Sequence, residues 1–265
     1  MGSATRQATV VSQTALKGLG AKVTLATAEE LFAAGRSLAT STHLQSTLSD
    51  PAIAPADKAK LVGNLFGKKL GTQAATLLDS VVAQRWSREN DLLAGVENLA
   101  IRAAAISGGT TSSIEGEIFA FSRAVSSDPD LELALGSALS DPVSKAALVV
   151  KLLSKKASAQ TVVIISELVQ QPRGRRIGSL LAQAAAIVAD QAGSTVANVT
   201  SAQALSVKAV TGLGASLTKQ YGRDIYVNAA VDPSLIGGVR VQIGADVIDG
   251  TVASRLNSLK LELVG

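Results

Sequence analysis

The middle of this chain repeats its beginning. A displacement of 87 residues lays Glu30, Phe32, Ala33 and Arg36 on Glu117, Phe119, Ala120 and Arg123 without a gap. Leu44 and Leu48 fall on Leu131 and Leu135, and Pro55 on Pro142. The run Lys58, Ala59, Leu61, Val62, Leu65, Lys68, Lys69 falls on Lys145, Ala146, Leu148, Val149, Leu152, Lys155, Lys156. Gln73, Val82, Gln84, Arg88 and Leu93 coincide with Gln160, Val169, Gln171, Arg175 and Leu180, giving about nineteen identities over residues 30–93. Biased composition inflates Ala, Leu and Val matches. The paired Lys, Arg, Gln, Glu and Pro therefore carry the argument for a tandem duplication.

Each copy reads as a helical bundle, because its apolar residues recur at three and four. Leu92, Val96 and Leu99 form one stripe; Ile114, Ile118, Phe121 and Val125 form another; Leu148 and Leu152 with Val149 and Leu153 form a third. Thr27 with Glu30 and Ser112 with Glu115 have capping-box spacing. Asp50-Pro51 and Asp141-Pro142 each place an N-cap type before a proline suited to a first helical turn, although the two pairs are out of phase in the gapless alignment. Residues 107–112 are small and polar, as a linker would be. After Gly193 the period changes. Residues 195–200 read as a strand and 206–221 as a helix, while Ile225, Val227, Ala229 and Val231, then Val239, Val241 and Ile243, alternate as half-buried strands do. Asp249-Gly250 reads as a turn, and residues 252–263 as a closing helix. The expected fold is mainly α: two tandem helical bundles (1–107 and 108–193) followed by a small α/β domain (194–265).

With no cysteine and only His43 as histidine, thiol nucleophiles, Cys-type zinc sites and two-His metal sites are excluded. The net charge of +4 divides as +3, 0 and +1 over the three segments, so it marks no nucleic-acid-binding face. Aromatic residues make up 3%, too few for base stacking. Alanine underlies the mean hydropathy of +0.30, and no apolar run is long enough to span a bilayer. Neither a signal peptide nor a myristoylation signal is expected at the start.

Gly63-Asn-Leu-Phe-Gly67-Lys68-Lys69 lacks both the spacing and the hydroxyl residue of a P-loop, and Gly18-Leu-Gly20 and Gly212-Leu-Gly214 lack the third glycine of a dinucleotide fingerprint. Asp232, Asp246 and Asp249 offer carboxylates, but Asp before Pro or Gly is a turn-capping arrangement. Arg173-Gly-Arg175-Arg176 reads as a solvated loop between helices, or else as a site for phosphate or an acidic partner. Trp86 is either a contact anchor or a core residue.

The segment Val231-Asp-Pro-Ser-Leu-Ile-Gly-Gly-Val-Arg-Val-Gln-Ile-Gly244, followed by Asp246-Val-Ile-Asp-Gly250-Thr-Val and Arg255-Leu256, resembles the C-terminal signature of the delta subunit family of bacterial F-type ATP synthases. The mitochondrial counterpart is the oligomycin-sensitivity-conferring protein. Val199-Thr-Ser-Ala202 and Tyr221-Gly-Arg are also similar to this family, as are the helices from Asp141-Pro142 to Gly193, so the resemblance covers residues 113–265. Most members have one helical domain before the signature. Two resemble the enlarged delta subunits of actinobacteria.

The resemblance implies a non-catalytic stator subunit without cofactor or metal. It would join the alpha and beta subunits of the catalytic head to a b-type peripheral stalk, at the cytoplasmic face of the cell membrane but without entering it. It further implies a groove for the alpha N-terminal helix. That groove is expected between the first helix of the second copy (Ile114, Ile118, Phe121, Val125) and its fifth (Leu180, Ala184, Ile187). The equivalents in the first copy are Leu31, Leu38, Leu93 and Val96. The C-terminal signature residues are Asp232, Pro233, Gly237, Gly238, Gly244, Asp249 and Gly250, the glycines serving backbone geometry. Two other classes remain on the residues alone: a helical-repeat adaptor unrelated to ATP synthase, and an enzyme using Asp232, Asp246 or His43.

Overall fold

The computed structural model describes residues 2–67, 69–109, 113–137, 139–244, 246–256 and Lys260. The described residues are mainly helical, with a small α/β part at the C-terminal end. They divide into two compact units, Met1–Val188 and Ala189–Gly265.

The first unit opens with α1 (Ser3–Leu19), a 3-10 turn at Gly20–Lys22, α2 (Leu25–Ala39), α3 (Thr42–Ser49), α4 (Pro55–Phe66) and α5 (Thr72–Val82). A long helix, α6 (Glu89–Gly108), precedes α7 (Ile114–Ser126), α8 (Pro129–Gly136), α9 (Pro142–Leu153), α10 (Ala159–Gln170) and α11 (Ile177–Gln191). The last of these crosses the boundary between the units. The 87-residue displacement carries α2 to α5 onto α7 to α10. It also carries α1 onto residues 90–106, inside α6, and α6 onto residues 176–195, over α11. The long helix is therefore the last helix of one repeat and the first of the next. Its buried Leu92, Gly95, Leu99 and Ala103 stand where Thr5, Ala8, Ser12 and Leu16 are buried in α1. Just as α1 packs against α5, α6 packs against α10, and α2 also reaches α10.

Paired identities do the same work twice. Glu30 accepts the Gly71 N–H at 2.7 Å, at the start of α5. Glu117 accepts the Ser158 N–H at 2.9 Å and its hydroxyl at 2.6 Å, at the start of α10, and takes the Thr161 hydroxyl as well. Each supplies an acceptor to a helix N-terminus whose N–H groups have no intrahelical partner. Lys58 and Lys145 are both buried. Lys145 Nζ donates to the Ser137 carbonyl, and Lys58 feels Asp50, the residue equivalent to Ser137.

Helix starts depart from the expected capping pattern in the first repeat. Thr24, not Thr27, caps α2, and Thr27 reciprocates from the third helical position, so its hydroxyl displaces the carboxylate expected from Glu30. Asp50 closes α3 instead of opening a helix, and α4 begins at Pro55. Pro55 and Pro142 are both first-turn residues, so the gapless alignment holds and only the Asp50-Pro51 assignment was out of phase. Asp141 does cap α9, accepting from the Ser144 N–H at 2.8 Å. In the segment expected to be a linker, Ser107 and Gly108 belong to α6, and residues 110–112, with the predicted cap Ser112, lie outside the described residues.

In the second unit, β1 (Thr195–Ser201), α12 (Val207–Tyr221) and β2 (Ile225–Val231) form a parallel crossover, and β3 (Val239–Ile243) and β4 (Asp246–Asp249) follow antiparallel, in the order β2-β1-β3-β4. Ala197, Val199, Ile225, Val241 and Ile243 form a core with Leu217 of α12. Sequence reading missed β4, because it has four residues, all exposed, and no inward–outward alternation. Of the expected closing helix, residues 252–256 are helical.

Candidate partner-binding site

The seven residues expected to form a groove for a partner helix are all buried. Ile114, Ile118, Phe121 and Val125 lie on α7, and Leu180, Ala184 and Ile187 on α11, each no more than 8% exposed. Leu31, Leu38, Leu93 and Val96 are buried too. Around Leu31, Gly35 and Val96 the reason is visible: Glu167, Leu168 and Gln171 close this face from the second repeat. The face between α2 and α6 is thus filled within the chain, because α10 packs against both helices.

Charge locks that closure. Arg175 grips Glu97 in two parallel bonds of 2.7 Å, and Arg173 adds a third contact at 2.8 Å. Arg36 pairs with Glu167 across the same junction. Burial lowers the Arg173 guanidinium and the nearby Glu97 carboxylate raises it again, as expected for an ion pair removed from water. Arg173 and Gly174 both take positive φ, which turns the chain so that Arg173 and Arg175 reach one carboxylate. The basic run is therefore a half-buried junction instead of a solvated loop, and Arg176 alone of its arginines is exposed. The missed signal was Glu97, an acidic residue in the middle of a helix whose other carboxylates, Glu89 and Asp91, lie in its first turn. Trp86 is a core residue, donating to the Val81 carbonyl at 2.9 Å and resting on Gly95, where a Cβ would stand 2.3 Å from the ring.

The duplication also yields two matching clefts. One, of about 370 Å³, is lined by Ser3, Ala4, Gln7, Ala8, Gln84 and Arg85 in the first repeat. The displacement carries Ser3, Gln7, Gln84 and Arg85 to Asn90, Ala94, Gln171 and Pro172, which line a second cleft of about 630 Å³. The second is bounded by Ala39 at the end of α2 and by Gln45 of α3.

The C-terminal signature builds a backbone crossing. Asp232 follows β2, gives its N–H to the Ser201 carbonyl at 2.9 Å and accepts from the Ser234 hydroxyl and N–H. Pro233 follows it into the connection to β3. Gly237 accepts the Val252 N–H at 3.0 Å, and Gly250 donates to the Val239 carbonyl at 2.9 Å. Gly238 sits at φ +84°, and a Cβ there would lie 2.4 Å from the Gly250 carbonyl oxygen. Gly244 turns the chain between β3 and β4 at φ +60°. Asp249 accepts from the Thr251 hydroxyl at 2.7 Å and its N–H at 3.0 Å. These bonds hold the Asp232 and Asp249 carboxyls below the usual range, so both are ionised turn caps and neither is poised to move a proton. Asp246 and His43 are exposed. Among the described residues no group of three His, Cys, Asp or Glu side chains could hold a metal ion, and no helix is long and apolar enough to cross a membrane.

The family model for the ATP synthase delta (OSCP) subunit matches residues 98–263, beginning inside α6. The ATP synthase subunit delta of Leifsonia xyli subsp. xyli is 51% identical over 265 residues, 100% of each chain. That of Streptomyces avermitilis is 39% identical over 236 residues, 88% of this chain and 86% of the relative. That of Thermobifida fusca is 35% identical over 239 residues, 89% of each. These matches leave the unrelated adaptor and the enzyme without support. The chain belongs to the ATP synthase delta (OSCP) subunit family, whose members are non-catalytic components of the synthase.

Proposed function

We propose that this chain is the stator component that joins the alpha and beta subunits of the catalytic head to a b-type peripheral stalk, at the cytoplasmic face of the membrane. The observation that carries the reading is the continuity of the two repeats through α6, reinforced by Glu97 with Arg173 and Arg175. A component that resists torque needs this continuity more than it needs reactive groups. Adding the full chain back to membranes stripped of it, with heads present, should restore ATP-driven proton pumping; membranes that pump equally well without it would overturn the reading.

The alpha N-terminal helix is assigned to α7 and α11. Because Ile114, Ile118, Phe121, Val125, Leu180, Ala184 and Ile187 are buried, that helix would meet Ala120 and Ala182 on the exposed sides or enter after a local opening. One observation favours a second docking position. In the second repeat α2 packs on α6 and α10, and in the first repeat Val10 and Val11 of α1, the helix equivalent to α6, are exposed. An amphipathic helix laid against α1 and α5 would occupy the position that α2 occupies one repeat later. Titrating a synthetic alpha N-terminal helix into the full chain separates the two. Loss of binding with Val11→Asp supports the first repeat, and loss with Ala120→Asp supports the second.

A further inference from the structure

The two repeats share one fold, so each position of the first is an internal control for the second. Four of the exposed large apolar residues of the first unit lie on α8, α9 and their connection: Leu133, Leu139, Val143 and Val150. Leu133 and Val143 are each 70% exposed and Leu139 is 98% exposed. The first repeat carries Ser46, Ala52, Ala56 and Gly63 at these positions. Stability does not explain the difference, since exposed apolar side chains contribute little to a core.

Leu133 borders a groove of about 600 Å³ between α8 and the loop from α10 to α11. Pro129, Leu133, Pro172 and Ile177 supply its apolar lining. Their counterparts are Thr42, Ser46, Arg85 and Asn90, none of them apolar. The charge of this limb differs in the same sense. Residues 128–141 hold four carboxylates, Asp128, Asp130, Glu132 and Asp141, whereas residues 41–54 hold only Asp50, and neither stretch contains Lys or Arg. On the opposite wall Arg175 is neutralised by Glu97, which leaves Arg176 as the exposed cation of the lining and Glu132 as its carboxylate, with Asp128 and Asp130 exposed beside it at the start of α8.

We propose that the groove between α8 and the α10–α11 loop is a docking site for a basic amphipathic helix from a partner subunit, with an aliphatic ridge against Pro129 and Leu133 and Lys or Arg side chains facing Asp130 and Glu132 of α8. An apolar floor gives such a contact its affinity, and complementary charge fixes register and partner choice. This site is built on α8 and the α10–α11 loop, whereas the docking positions for the alpha helix rest on α7 with α11 or α1 with α5, and it depends on the stator reading only for where its partner is to be sought.

The test uses the whole protein in purified ATP synthase. A photo-cross-linking amino acid replaces Leu133 in one preparation and Ser46 in another, and the captured peptides are sequenced. The presence of the chain in the purified complex tests the stator reading separately. The groove is supported if position 133 captures a Lys/Arg-flanked amphipathic segment of another subunit while position 46 does not. No capture at 133, equal capture at 46, or capture of an acidic segment, a second copy or another part of this same chain would overturn it. A synthetic peptide of the captured segment should bind the full chain at least about tenfold more weakly after Leu133→Ser, and its binding should weaken after Glu132→Lys. Ser46→Leu should leave its affinity unchanged. Because Leu133→Ser installs at an exposed position the residue that the first repeat tolerates there, circular dichroism should be unaltered; an unaltered fold with unaltered affinity would likewise remove the proposal.

Discussion

Glu117 condenses the chemistry of this chain into one carboxylate. Burial alone would raise its pKa, but hydrogen bonds from Ser158 and Thr161 hold it below the ordinary range. A carboxyl depressed by folding stabilises fully above its unfolded pKa and loses that contribution as the pH falls through its folded value. Glu117→Gln should therefore cost about 2 kcal/mol near neutral pH, a figure already allowing for its partly solvated position. The difference from the unaltered chain, read from urea unfolding, should shrink below about pH 4. Two glycines have equally specific roles. Gly95→Ala pushes a methyl into the Trp86 ring and should destabilise the first unit by about 1–3 kcal/mol. Gly238→Ala meets both a strained φ and the Gly250 carbonyl, so its cost should fall on the second unit, visible as lost hydrogen-exchange protection in β3 with α6 unaffected.

At the scale of elements, the junction ions should show that the repeats are fastened together. Glu97→Ala leaves Arg173 and Arg175 half-buried without their carboxylate and should cost about 2–3 kcal/mol. Arg173→Ala, which keeps the paired bonds from Arg175, should cost less in the same denaturation experiment. Much of this architecture was legible in the sequence. The stripes of α6, α7 and α9, the change of period after Gly193 and the glycines of the crossing all reflect constraints that act on neighbouring residues. What escaped was non-local. Nothing near Glu97 in sequence announces Arg173 and Arg175, and β4 derives its hydrogen bonds from β3 instead of from an apolar pattern of its own. The double membership of α6 escaped for a related reason. Thr5, Ala8, Ser12 and Leu16 match Leu92, Gly95, Leu99 and Ala103 in burial but not in identity, so comparison by residue type passes over them. Burial likewise separated the expected groove residues from an open surface, since a stripe that could receive a partner helix looks the same as one that faces its own bundle.

For the whole molecule, where the chain is cut should matter more than how much is removed. A chain beginning at Glu89 keeps α6 and should fold as a smaller protein; one beginning at Ser113 lacks the helix against which α10 packs and should lose cooperative unfolding by calorimetry. The family match starts at residue 98 and so also includes the latter half of this helix. The sharing of α6 also bears on how such a chain could have lengthened. Copying a self-contained domain adds a hinge with each copy, whereas copying one 87-residue period, opened after α1 and closed after α6, adds five helices and brings no new joint, because each incoming segment inherits its first helix from its predecessor. The heritable module is thus a period of the array and not a domain, and its recombination points fall after α1, α6 and α11.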